Sequence, residues 1–206
     1  MKNREKILYS AIRLFNEHGF VNVRLQHISD DTIISVGNIA YHFRNKEAIV
    51  STIFESLEQE LKEALIEYRN TPIFENIERI FVGIEAVQER YRFFFTDLLE
   101  IKRAYPDMFT RLQALFEWQT FMFQEILRFN TARAAIRALR EAEIKFLAQH
   151  IIQSLNSWPA MMLVAKESEE GQVNRLAHYL WQILMAYMTE GGLAEYQVVR
   201  DQTIKY

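Results

Sequence analysis

The sequence predicts an all-α chain: a small unit of short helices followed by a larger helical bundle. Three observations carry this. Breakers are scarce, with three prolines and six glycines in 206 residues. Apolar residues recur at helical spacing along most of the chain, with no sustained alternation of the strand type. Most of the breakers, Gly19, Pro72, Pro106 and Gly191-Gly192 among them, fall where one periodic run ends or the next begins, as punctuation does between helices. Half of the residues are hydrophobic, enough to bury one large core or two small ones.

The elements follow in order. Ile7, Leu8, Ala11, Ile12, Leu14 and Phe15 keep one helical face, and Gly19 stands where a left-handed cap ends a helix. The first helix is therefore placed at about 4–18, with Phe20 folding back as an apolar partner. Leu25, Ile28, Ser29 and Thr32 mark a short second helix, and Ser35–Phe43 a third. Asn45 is a cap for a fourth, with Glu47 well placed in its first turn. That fourth helix keeps its period from Ile49 to Tyr68, up to Asn70-Thr71-Pro72. Thr71 and Pro72 read as N-cap and first residue of the next helix. Residues 72–105 are helical in pattern with a break expected near Gln88–Arg92. Pro106 opens a long helix, apolar on more than one side, that Asn130-Thr131 ends. A further helix is expected over about 140–157 with Pro159 near its end. A charged segment, Lys166–Gly171, precedes a last helix over about 173–190, which Gly191-Gly192 stops. The resulting domain division is 1–50 and 51–206.

Composition excludes several functions. The chain has no cysteine, hence no disulfide, thiolate metal site or cysteine nucleophile. His150 and His178 are the only histidines beyond residue 50, and no Glu-x-x-His pair, phosphate-cradling glycine loop or nucleophile elbow occurs. No catalytic residue, metal site or cofactor is assigned, and no enzymatic activity is expected. The N-terminal stretch MKNREKILYSAIRLF is too interrupted by charge for a leader, and no run approaches the roughly 20 apolar residues of a membrane span. A cytoplasmic protein without membrane contact is the simplest expectation.

Placed on a wheel, SVGNIAYHF divides into two faces. Ile39, Ala40 and Phe43 cluster on one side, with Val36 at its edge; Gly37, Asn38, Tyr41 and His42 lie opposite. A solvated helix face built for stability carries Glu, Lys or Ala rather than a glycine, an amide and two polar rings. The lengths of helices 2 and 3 and the short turn between them are those of a helix-turn-helix, whose second helix enters the major groove. Val36, Gly37 and Asn38 then fall to base edges. Tyr41, His42, Arg24 and Lys46 fall to phosphates, and Gln26 and Ser35 lie on the same surface. Charge agrees. Lys2, Arg4, Lys6, Arg13, Arg24, Arg44 and Lys46 face Glu5, Glu17, Asp30, Asp31 and Glu47, a net of +2 in a chain whose net is −3.

The motifs ILYSAIRLFNEHGF, HIS, SVGNIAYHF and NKEAIV, spanning about Arg4–Ile53, resemble the DNA-binding domain of the TetR family of bacterial one-component repressors. The resemblance implies a homodimer on a double-stranded DNA operator, with a helical C-terminal domain for a small effector and the dimer contact. RYRFFFTDLLEIKRAYPDMF and LNSWP resemble a TetR subgroup with an undefined C-terminal domain. Three positions depart from the family pattern. Ile33 stands where the turn usually has glycine, so the turn is expected to close differently; Arg24 replaces a threonine, and Ala40 an aromatic residue.

The second domain supplies its own expectations. Its aromatic abundance suggests an apolar effector pocket, with Phe94, Leu98, Trp118, Phe121 and Met122 as lining. The last two helices carry Ile151, Leu155, Trp158, Leu176, Leu180, Ile183, Leu184 and Tyr187, read as a dimer interface of two helices from each subunit. The functional expectation is a repressor released from a palindromic operator by a small apolar or amphipathic effector. The alternative is a helical ligand carrier or dimeric interaction module that has lost DNA binding.

Overall fold

The computed structural model describes residues 2–66, 71–165 and 175–203. Tyr68, Asn70 and the Lys166–Gly171 segment lie outside them. Among the described residues there are eleven helices and no strand: α1 (Asn3–His18), α2 (Leu25–Thr32), α3 (Val36–His42), α4 (Lys46–Ile66), α5 (Phe74–Arg90), α6 (Phe93–Thr96), α7 (Leu98–Ala104), α8 (Pro106–Ala132), α9 (Glu141–Val164), α10 (Arg175–Met185) and α11 (Glu190–Thr203). The chain divides into two compact units, Met1–Glu60 with Val87–Gln113, and Leu61–Ala86 with Ala114–Tyr206.

In the first unit α1 buries Ile7, Ala11, Leu14 and Phe15 against Ile28 of α2 and Ile39 of α3, with Phe20, Val23, Ile34 and Phe43 from the connections. Gly19 ends α1 at φ +76°, its N–H donating to the Phe15 carbonyl at 3.0 Å, and Phe20 turns inward. Ser10 Oγ donates to Asp31 at 2.6 Å and Arg13 pairs with both Glu17 and Asp31, tying α1 to α2. Asn45 caps α4 by accepting the Ala48 N–H at 2.9 Å.

The α2–α3 turn closes on Ile33 itself, at φ 58°, ψ 32°. The expectation that a turn without glycine closes differently is therefore corrected: the left-handed conformation is kept and the strain accepted. The chain must reverse within three residues while delivering Ile34 to the core, and that packing outweighs the roughly 1–2 kcal/mol of a left-handed non-glycine residue. The Ile33 side chain is 94% exposed and recovers nothing. Ala40, placed on the anchoring face by the wheel, is exposed. Only the narrow arc through Ile39 and Phe43 meets α1 and α2, so a residue about 100° from Ile39 falls outside it.

The break expected near Gln88–Arg92 occurs at Tyr91-Arg92, between α5 and α6. It frees backbone groups, and Asn16 of α1 satisfies two of them. Its Nδ2 donates to the Arg90 carbonyl at 2.8 Å, and its Oδ1 accepts the Phe93 N–H at 3.0 Å. Beside this clip an aromatic seam runs from Phe15 to Phe93 (centroids 5.1 Å), Phe93 to Phe94 (4.2 Å) and Phe94 to Phe54 of α4 (5.5 Å). Asp97 accepts the Phe20 N–H at 3.0 Å. The Tyr91 hydroxyl donates to Glu60 at 2.6 Å, and burial together with that carboxylate pushes it up to about 12.

In the second unit Trp181 of α10 is the centre. Its ring meets Phe74 (5.1 Å), Phe81 (5.7 Å) and Tyr196 (5.0 Å), and its indole N–H donates to Glu78 at 2.5 Å. Arg133 grips Glu195 through two bonds, at 2.6 and 2.8 Å, and the same carboxylate accepts the Phe74 N–H at 3.0 Å. That carboxylate sits at the N-terminus of α5, which begins at Phe74 rather than at Pro72 as expected. Two further boundaries differ. Helix α9 continues through Pro159 to Val164, with its buried residues at and before the proline, from Ile144 to Pro159 itself. The last helix was expected to stop at Gly191-Gly192, but α10 ends at Met185, and the two glycines lie in the first turn of α11. Gly192 is needed for close approach: a Cβ there would lie 2.0 Å from the Ala135 carbonyl oxygen.

Two stability changes follow. Ile33→Gly is expected to raise the thermal midpoint by roughly 2–4 °C, because relief of left-handed strain exceeds the entropic cost of glycine by about 1 kcal/mol; a lower midpoint would show that Ile33 is held by contacts. Asn16→Ala is expected to cost about 2 kcal/mol in urea unfolding, one for each backbone bond lost. An unchanged transition would mean that the clip carries no stability.

Candidate nucleic-acid interface

Helix α3 is positioned by its ends and one buried stripe. Ser35 caps it, its Oγ accepting the Asn38 N–H at 3.3 Å, and its own carbonyl takes the Asn38 and Ile39 N–H groups at 2.9 Å. Ile39 and Phe43 anchor it to the core. The remaining surface faces outward. Gly37 and Asn38 are exposed, Tyr41 is 86% exposed, and Val36 and His42 are half-buried. The Tyr41 and His42 rings meet edge-on at 5.3 Å.

Gly37 is informative because the protein gives no internal reason for it. Its φ is not positive, and a Cβ built there meets nothing within 4 Å. The side-chain amide of Asn38 and the hydroxyl of Tyr41 make no hydrogen bond among the described residues. This surface thus forgoes helix stability, about 1 kcal/mol at the glycine alone, without any gain inside the molecule.

The other expected contacts divide. Arg24, just ahead of α2, is exposed; its backbone N–H donates to His27 Nδ1 at 3.2 Å and leaves the guanidinium outside. Gln26 is exposed but donates to Asp30 at 2.7 Å, within its own helix. Lys46 is a correction. Its ammonium donates to the Phe20 carbonyl and lies over the Phe15 and Phe20 rings at 5.6 and 5.2 Å, and this burial lowers its pKa. The side chain is a tether between α4 and the end of α1, which takes it away from the phosphate role.

The expected effector residues fall in both units. Phe94 and Leu98 belong to the first unit, where Phe94 is wholly buried in the aromatic seam. Trp118, Phe121 and Met122 belong to the second, and Phe121 is 55% exposed. A recess of ≈ 360 Å³ in the second unit is lined by Ser154, Ser157, Trp158, Met161, Met162, Val164, Ala165 and Tyr179. Inside that unit Asn156 donates to Gln119 at 3.0 Å, both side chains buried.

The expected dimer interface is corrected for five of its eight residues. Ile151, Leu155, Leu176, Leu180 and Leu184 are buried in their own chain and have no surface for a partner. Trp158, Ile183 and Tyr187 remain half-buried. The outward stripe of α9 is Phe146, His150, Ser157 and Met161, with Phe146 67% exposed and stacked parallel on His150 at 6.3 Å. Apolar periodicity alone ranks the core positions above this stripe, because the core face is the more regular of the two. Among the described residues no helix is long and apolar enough to cross a membrane.

Comparison with known proteins agrees with this geometry. Residues 7–53 match the model of bacterial regulatory proteins of the tetR family, and residues 56–196 match that of the TetR bacterial transcriptional repressors. A stretch of 109 residues is 29% identical to the biofilm operon icaADBC HTH-type negative transcriptional regulator IcaR of Staphylococcus aureus (strain Newman), covering 53% of each chain. The chain thus spans about half the length of the curated relatives it matches. Over 98% of each chain its fold is similar to a TetR-family transcriptional regulator from Marinobacter aquaeolei VT8, at TM-score 0.87 and 24% identity. The ketosteroid transcriptional regulator KstR2 of Mycobacterium tuberculosis is similar at TM-score 0.70 and 16% identity, over 92% of this chain and 96% of that one. With both parts of the chain matched, the protein belongs to the TetR family of bacterial transcriptional regulators, which are not enzymes.

Proposed function

We propose that this protein is a cytoplasmic repressor that binds a palindromic operator as a homodimer and leaves it when a small apolar or amphipathic effector binds. The observation that carries the DNA reading is the outward face of α3: a glycine with open space before it, beside an amide and a phenol hydroxyl that have no hydrogen-bond partner among the described residues. Val36, Gly37 and Asn38 meet base edges, where an amide can donate and accept on adenine. Ser35, Tyr41, His42 and Arg24 meet the phosphates on either side. The sign of regulation follows IcaR, named as a negative regulator.

The dimer forms through the outward stripe of α9 together with Trp158, Tyr179 and Ile183. Isologous pairing of one such face is the commonest symmetric arrangement, and the half-sites of a palindromic operator stand about 34–36 Å apart. The effector belongs to the second unit. Its support is the apolar breadth of α8 and the buried Gln119–Asn156 pair, in which Gln119 Nε2 and Asn156 Oδ1 have no partner among the described residues. Such groups in an apolar interior suit a ligand that both donates and accepts.

Selection from genomic DNA fragments at moderate salt is expected to enrich a palindrome, and Asn38→Ala with Tyr41→Ala to weaken its binding at least tenfold, at about 1–3 kcal/mol per base contact. Both side chains are exposed, so the thermal midpoint should hold. No enriched palindrome, or equal binding by the double variant, would favour a ligand carrier instead. Separately, Phe146→Glu is expected to give a folded monomer at micromolar concentration in sedimentation; a persistent dimer would place the interface elsewhere.

A further inference from the structure

We propose that Arg4 is a further contact to the DNA backbone, held beside the C-terminal end of the recognition helix by Phe43; this rests on the DNA-binding reading above. Arg4 lies in the first turn of α1 and is exposed. Its guanidinium carbon stands 5.0 Å from the centroid of the Phe43 ring, the residue that closes α3. Phe43 itself is buried, so its ring is a fixed platform. An arginine stacked on an aromatic face keeps its in-plane N–H edges free, the geometry that suits a phosphate.

The chain's other cations near this surface differ in how they are used. Arg13 is paired with Glu17 and Asp31, and Lys46 is turned inward onto Phe20. Arg4 forms no ion pair among the described residues. It is fixed in place without being neutralised. The place also needs it. Tyr41 and His42 precede Phe43, and the final carbonyls of α3 present the negative end of a helix there. A phosphate brought to the Tyr41 hydroxyl meets no positive charge from that residue; Arg4 supplies one, with exposed Arg44 next along the chain. The contact joins residues 39 positions apart, so no local spacing shows it.

Two variants separate this role from simple covering of Phe43. Arg4→Met keeps an unbranched apolar stem over the ring and removes the charge; Arg4→Lys keeps the charge and loses the planar stack. Affinity is measured across a salt series on the duplex enriched by selection and on a scrambled duplex of equal length, with thermal midpoints alongside. Arg4→Met is expected to flatten the slope of log affinity against log salt by about 0.9 per bound subunit, to weaken both duplexes by a similar factor, and to leave the midpoint in place. Arg4→Lys should retain the slope. An unchanged slope in Arg4→Met overturns the proposal, as does a fall in midpoint for both variants with the slope intact. If the unaltered protein binds neither duplex, the DNA reading itself fails. If it binds and Asn38→Ala weakens it while the Arg4→Met slope holds, only the role of Arg4 fails.

Discussion

The first unit depends on the union of α1 with the break between α5 and α6. Phe15 and Phe93 pack edge to face, and Asn16 satisfies the carbonyl and N–H that the break at Tyr91-Arg92 leaves open. That union joins Val87–Gln113 directly to α1, beside the contacts it makes with α4 through Phe54 and Glu60. Asp97 on Phe20 and Lys46 on the Phe20 carbonyl clamp the end of α1 from two more elements. The helix-turn-helix is therefore braced by residues some 75 positions further on. The helices α4, α5 and α8 each include residues of both units.

On that braced frame α3 is spare. Seven residues, one cap and two buried anchors hold it, and nearly everything else on it faces out. The choice of residues there is costly by helix propensity, and the structure offers no internal return for Gly37, Asn38 or Tyr41. The left-handed Ile33 just before it is a second cost accepted at the same place. Unrewarded local costs gathered on one surface are characteristic of a site built for something outside the chain.

How much of this was legible depended on the range of the interaction. The cap at Asn45, the inward turn of Phe20 and the break near Arg92 rest on neighbours within a few residues, and each is readable in the sequence. No local signal shows the inward turn of Lys46, because its partners, Phe15 and Phe20, lie 26 or more residues away. Leu155 and Phe146 are both apolar at helical spacing on α9, yet Leu155 is buried and Phe146 exposed. Only the position of neighbouring helices shows that one is enclosed and the other open. Gly191-Gly192 reads locally as a stop, yet Gly192 is there for the Ala135 carbonyl, a neighbour invisible to any window on the sequence.

The sequence by itself determined the all-helical class, the helix-turn-helix and the outward face of α3, because periodicity, caps and breakers act over one or two turns. Tertiary structure decided which apolar stripes are core, which cations remain available and which loop each clamp holds. Those outcomes depend on pairs such as Arg4–Phe43, Lys46–Phe20 and Asn16–Phe93, whose members are brought within reach only once the helices have packed.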